Sequence, residues 1–165
     1  MAFVTTFVSA TSGPGNAYNI DFSVGAAKTN ATADVMLVQA LLRIVHFEVS
    51  QPIAPPPGET DIEVNGKLDQ RTLRFILNWQ RLAKASGIKV LLDGVFDPFR
   101  AQGQLSTIAH VRYTLELLNN TCHSKTKTDG SKAFDELPSR DDIPPELRGE
   151  LNLPRRTVAR QYAKN

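Results

Sequence analysis

The sequence predicts a mainly α fold: a three-helix bundle over residues 30–122, preceded by a β-hairpin over 1–29 and followed by a polar tail over 123–165. Three observations carry this. Val, Phe, Ile and Thr are concentrated in two stretches near the start, three later stretches repeat their apolar residues at helical spacing, and one short turn is written twice.

The hairpin is expected from Phe3 to Ala10 and from Tyr18 to Val24, with the turn chemistry of "SGPGN" between them. "KTNATAD" then offers Asn30, Thr32 and Asp34 as N-caps for a first helix whose apolar residues Val35, Val38, Leu41, Leu42 and Val45 share a face. From Gln51 to Asp61, "QPIAPPPGETD" cannot be helical, because successive prolines lack the N–H and fix φ, so it reads as an extended exposed arm. A second helix follows Asp69, with Leu73, Ile76, Leu77 and Gln80 facing inward, and Gly87 as its C-cap. A third is expected from Asp97 and Pro98 through Ile108, Val111, Leu115 and Leu118, with Gly103 able to break it so that the longer piece begins near Ser106. Beyond Cys122 the chain is polar and broken by proline, which reads as a tail either disordered or docked on a partner.

"VNGKLDQRT" (64–72) and "LDGVFDPFR" (92–100) superimpose: apolar, Asn or Asp, Gly, any residue, large apolar, Asp. Asn-Gly and Asp-Gly take positive φ most easily, so each should reverse the chain tightly. The next apolar residue, Leu68 or Phe96, can then enter the core, and Asp69 or Asp97 can accept the free N–H groups of a helix's first turn. The unit is a helix-launching device used twice.

The order Asp34-Val35, Val38-Gln39-Ala40-Leu41-Leu42, Asn65-Gly66-Lys67-Leu68-Asp69 with Thr72, Trp79-Gln80, Gly87 and Leu92-Asp93-Gly94-Val95-Phe96-Asp97-Pro98 resembles the peptidoglycan-binding-domain-like family over residues ~30 to 120. Asn65 stands where that pattern usually has Asp, Asp69 and Asp97 where glycine is common, and Arg100 where Thr is expected, while the proline arm lengthens a connection that is usually short. The resemblance implies a three-helix, non-catalytic module that binds cell-wall peptidoglycan or its fragments and brings an effector to the wall. It equally leaves open a scaffold or assembly protein of a bacterial secretion system or phage, docking protein partners through residues 1–29 and 123–165.

For binding, Arg71, Arg74, Asn78 and Arg81 form a stripe at helical spacing on the side of the second helix opposite its apolar face, able to hold stem-peptide carboxylates; the alternative is a solvated helix face. Trp79, the single tryptophan, reads as a core residue with a satisfied N–H before it reads as a sugar platform. Gln39 and Gln80 are expected to bond backbone at the turns. His46, His110 and His123 are too unevenly spaced for a metal site, and Cys122 beside His123 is expected to be a structural thiol. Glu48, Glu59, Asp61 and Glu63 lie in or beside the proline arm, a poor frame for a glycosidase pair. No enzyme, metal or cofactor is expected.

With 19 Lys and Arg against 17 Asp and Glu, the net charge of +2 carries no nucleic-acid signature. No run approaches the ~20 apolar residues of a membrane helix, so no membrane insertion is expected. MAFVTTFVSA has no basic residue before Lys28 and reads as a strand rather than a secretory signal. Peptidoglycan binding would place the chain in the periplasm or cell envelope by another export route.

Overall fold

A computed structural model describes residues 1–9, 13–100 and 110–156. The fold is helix-dominated, with an antiparallel hairpin at its N-terminal end. Strand β1 (Ala2–Ser9) pairs with β2 (Gly13–Ile20) in a register running from Ala2 opposite Ile20 to Ser9 opposite Gly13. The hairpin is therefore longer and earlier than expected. Gly13 to Asn16 belong to the second strand, Pro14 lying opposite Val8, and the reversal falls at residues 10–12, outside the described residues. Proline is tolerated here because each strand of a two-stranded sheet is an edge and can spare a donor.

A short β3 (Val24–Gly25) pairs with β4 (Val95–Phe96), which brings the second of the repeated turns against the hairpin's exit. Helix α1 (Thr32–Arg43) continues into a π-helical turn, Ile44–Glu48. None of its three expected caps acts as one: Ala31 occupies the N-cap without a side-chain bond. Asn30 instead closes the preceding turn, accepting from the Gly25 N–H at 2.8 Å and donating to the Gly25 and Lys28 carbonyls. Asp34 is buried and accepts from the Phe22 N–H at 3.0 Å.

Every residue from Asp34 to Leu42 is buried, so α1 is a central strut rather than an amphipathic surface helix. The hairpin, α2 (Gln70–Ala85), α3 (Thr114–Ser124) and α5 (Pro145–Leu151) all pack on it. In α2 the buried face is Thr72, Phe75, Ile76, Trp79, Gln80 and Ala83, with Leu73 and Leu77 only half-buried. The helix starts and stops as its sequence requires. Asp69 accepts from the Thr72 N–H at 2.7 Å, and Gly87, at φ +84°, lets the Ile88 N–H reach back to the Ala83 carbonyl.

The third helix departs from expectation. Asp97 to Arg100 are not helical, and the described helix is α3. The carboxylate of Asp97 is taken by the Ser23 hydroxyl at 2.5 Å, while both backbone groups of Phe99 pair with the buried Asn19 amide, which holds this stretch extended. Gly103, Ser106 and Ile108 lie outside the described residues.

The expected polar tail is largely part of the core. Residues 125–156 fold back through α4 (Ala133–Glu136), a 3-10 turn (Leu137–Ser139) and α5, burying Phe134, Leu137, Ile143, Leu147 and Leu151 in the same cluster as α1. Few apolar residues suffice because these five land inside. An ionic lattice fastens this return: Arg140 holds both oxygens of Glu48 and also Asp142, and Arg43 bridges Glu48 at 3.0 Å and Asp142 at 2.8 Å. The boundary expected at residue 123 thus falls within α3 and separates nothing. Among the described residues, no helix is long and apolar enough to cross a membrane.

Candidate functional site

The two sequence-equivalent turns are built alike and each is clasped by a buried glutamine. At the first, the Gln39 carbonyl oxygen accepts from the N–H groups of Asn65 (3.0 Å) and Gly66 (2.9 Å), and its amide donates to the Lys67 carbonyl (3.0 Å) and the Thr72 hydroxyl (3.1 Å). At the second, the Gln80 carbonyl oxygen accepts from the Gly94 N–H (2.9 Å), and its amide donates to the Val95 carbonyl (3.0 Å) and the Asp93 carboxylate (3.0 Å). Within each turn the Asn65 or Asp93 side chain also accepts the N–H two residues on, Lys67 or Val95. Gly66 and Gly94 both have positive φ, +73° and +69°. A Gln on α1 thus locks the entry to α2, and a Gln on α2 locks the turn leading into β4.

Two buried asparagines do the same for the hairpin. Asn119 on α3 accepts from the Tyr18 N–H at 2.7 Å and donates to the Tyr18 carbonyl at 2.9 Å, an imitation of a neighbouring strand; Asn19 treats Phe99 likewise. Sequence reasoning misses both amides, because an Asn in an apolar stretch is ordinary until tertiary packing buries it.

The predicted stripe is where the proline arm lies. Arg71 and Arg74 converge on the carboxylate of Glu59, the Arg71 contact being 3.0 Å, and Asn78 donates to the Ala54 carbonyl at 3.1 Å. Glu59's side chain is only 8% exposed, while Arg71 and Arg74 keep 52% and 57% exposure. Arg81 is exposed nearer the C-terminal end of the same helix. Three of the four stripe residues therefore fasten the arm, and the arm is a docked strap rather than a free loop. Glu59 is the member that sequence reasoning misses, although its charge, at the arm's end, matches the stripe it closes on.

The other carboxylates near the arm go to separate partners: Glu48 to Arg43 and Arg140, Glu63 to the Asn65 amide, Asp61 to the Ile62 N–H. His46 sits in the π-helical turn against Phe75 and Phe47, with Nδ1 2.8 Å from the Ile53 carbonyl and a buried Nε2 without a hydrogen-bond partner. Burial holds its pKa below the usual histidine range, outweighing the hydrogen bond to Ile53. Cys122 is fully buried with its thiol directed to the Leu41 carbonyl at 3.3 Å, and burial raises its pKa far above the usual thiol range. His123, its neighbour, turns its ring instead to Phe134. Trp79 is buried and donates its indole N–H to the Thr114 carbonyl at 3.3 Å. Among the described residues, no group of three or more His, Cys, Asp or Glu side chains is placed to hold a metal ion.

Comparison with family models, curated proteins and solved structures produced no match to this chain. The functional reading rests on the residues themselves.

Proposed function

We propose that this chain is a non-catalytic binding module of the three-helix, peptidoglycan-binding kind, and that the arm-bearing face of α2 is its ligand face. The observation that supports this is the convergence of Arg71 and Arg74 on one carboxylate, Glu59, while both guanidinium groups stay half open to solvent. Stem peptides of the cell wall carry carboxylates of the same chemistry, and a planar guanidinium has donors to spare for a second one. Arg81 extends the positive face toward the C-terminal end of the helix. The paired Gln39 and Gln80 clasps, which make the repeated turns rigid, fit the same family-like architecture.

The test is co-sedimentation of the full chain with purified insoluble peptidoglycan across a salt series. The folded wild type sediments, more weakly at high salt, and the Arg71→Ala/Arg74→Ala variant is lost from the pellet. Because that variant also frees the arm, Glu59→Gln is measured beside it: it keeps both arginines, releases them from their internal partner, and sediments at least as well as wild type. A folded wild type that stays in the supernatant overturns the reading.

A second reading, an assembly protein that docks partners through its two terminal segments, has one observation in its favour. Phe22 and Leu153, one in each segment, stand 49% and 51% exposed while Ile20 and Leu151 beside them are buried. New hydrogen-exchange protection around both residues in a complex, with no wall sedimentation, would favour it.

A further inference from the structure

The arginine pair of α2 already holds a carboxylate, and a short turn of the same chain puts it there. Residues Pro56 to Glu59 close a β-turn, the Glu59 N–H donating to the Pro56 carbonyl at 3.1 Å with Gly58 at φ +82°. Pro57 and Gly58 suit its two central positions, because proline fixes φ and glycine takes the positive value without strain. Pro56 is buried while Pro57 and Gly58 are exposed, so the turn is rooted at one corner and its tip faces solvent. Upstream the arm is anchored without charge: the Ile53 N–H donates to the Val45 carbonyl at 3.0 Å, and the Asn78 amide to the Ala54 carbonyl at 3.1 Å. Glu59 then closes on Arg71 and Arg74, each of which keeps more than half of its side-chain surface open. Ion pairs on such exposed partners are weak, because water competes with them and salt screens them. The contact is therefore releasable, while the anchors at Ile53 and Ala54 stay in place.

We propose that Glu59 is a tethered surrogate ligand: the turn from Pro56 to Glu59 keeps the Arg71/Arg74 pair shut, and a ligand opens it by placing its own carboxylate where that of Glu59 lies. The proposal rests on the arginine face of α2 being the ligand face, and it adds the regulation of that face. Because Glu59 belongs to the same chain, it acts at a fixed effective concentration and lowers the apparent affinity for any outside carboxylate by one common factor.

The experiment titrates the full chain, at constant ionic strength, with N-acetylglycine, which carries a carboxylate, and with N-acetylglycinamide, which carries none. The reporter is the NMR cross-peak of the Arg71 Nε–H, the group 3.0 Å from Glu59. N-acetylglycine should move it saturably and the amide should leave it in place. Two variants, shown to be folded by thermal unfolding, open the strap in different ways. Glu59→Gln removes the charge. Gly58→Ala keeps every charge but disfavours the turn, since alanine is strained at φ +82° although its Cβ meets nothing within 4 Å. Each should bind N-acetylglycine roughly two- to fivefold more tightly than wild type, the range that an exposed ion pair supplies. Equal affinities in all three proteins overturn the proposal, as does an Arg71 peak that N-acetylglycine leaves unmoved. Tighter binding in Glu59→Gln alone overturns it too, because that marks a general charge effect and not a strap. Neither readout involves the wall: the expected ranking in a chain that does not sediment with peptidoglycan keeps the strap and removes the wall reading, and equal affinities in a chain that does sediment remove the strap alone.

Discussion

At the scale of single residues, the weight of the fold falls on buried amides. Gln39 serves two N–H groups, one carbonyl and one hydroxyl, so truncating it orphans several groups at once. Gln39→Leu keeps most of the volume but removes every partner, and we expect a loss of about 2–3 kcal/mol in urea unfolding, against less for Gln39→Glu, which retains the two acceptor bonds. His46 makes a second prediction. Its folded pKa lies below the unfolded value of about 6.5, so the unfolded chain takes up the proton first. The stability that neutral His46 contributes is present above about pH 6.5 and is lost as pH falls from there toward the lower folded value. Subtracting the pH profile of His46→Gln from that of wild type should isolate this slope, at most about 1.4 kcal/mol per pH unit; a flat difference curve between about pH 7 and 5 would refute it.

At the scale of elements, the two turns look interchangeable in sequence, yet the glycines around α2 are not equally tolerant. A Cβ on Gly66 would stand 2.5 Å from Thr32 Cγ2 and 3.0 Å from the Thr32 carbonyl, in addition to the strain of φ +73°. At Gly87, with φ +84°, a Cβ meets nothing within 4 Å. Gly87→Ala should therefore cost only the left-handed penalty, about 1 kcal/mol, and Gly66→Ala about 2–3 kcal/mol by thermal or urea unfolding. The reverse ranking would mean that the first turn can move away from α1. The π-helical turn Ile44–Glu48 also belongs to this scale. It shifts the helical phase at the end of α1, a place where Glu48 meets Arg140 and His46 meets Phe75.

At the scale of the whole molecule, the helical region depends on the C-terminal segment for part of its core. Phe134, Leu137, Ile143, Leu147 and Leu151 share one cluster with α1, and the Arg140–Glu48 lattice ties their segment to the end of that helix. A fragment of residues 30–122 loses this cover and the hairpin together. It should expose apolar surface, bind the dye 1-anilinonaphthalene-8-sulfonate and lack a cooperative thermal transition. Wall-binding assays accordingly need the full chain. A cooperatively folding fragment would restore the picture of a core with appendages.

Local chemistry determined a good deal by itself. The Asp69 cap, the Gly87 stop and the positive-φ glycines at 66 and 94 all follow from residues close in sequence, because turn and cap energetics involve only neighbours. The helical course of α1 and α2 was legible for the same reason. Tertiary structure alone decided that α1 would be buried on all sides, that the arm would strap the arginine stripe through Glu59, and that Asp97 would bond Ser23 instead of starting a helix. It also decided that a polar, proline-broken stretch would close the core. Ile143, Leu147 and Leu151 recur every four residues, but three apolar positions amid charges become a buried face only when a surface is waiting for them. That surface is assembled from α1 and β1, more than a hundred residues earlier in the chain, and no local pattern announces a partner at such distance.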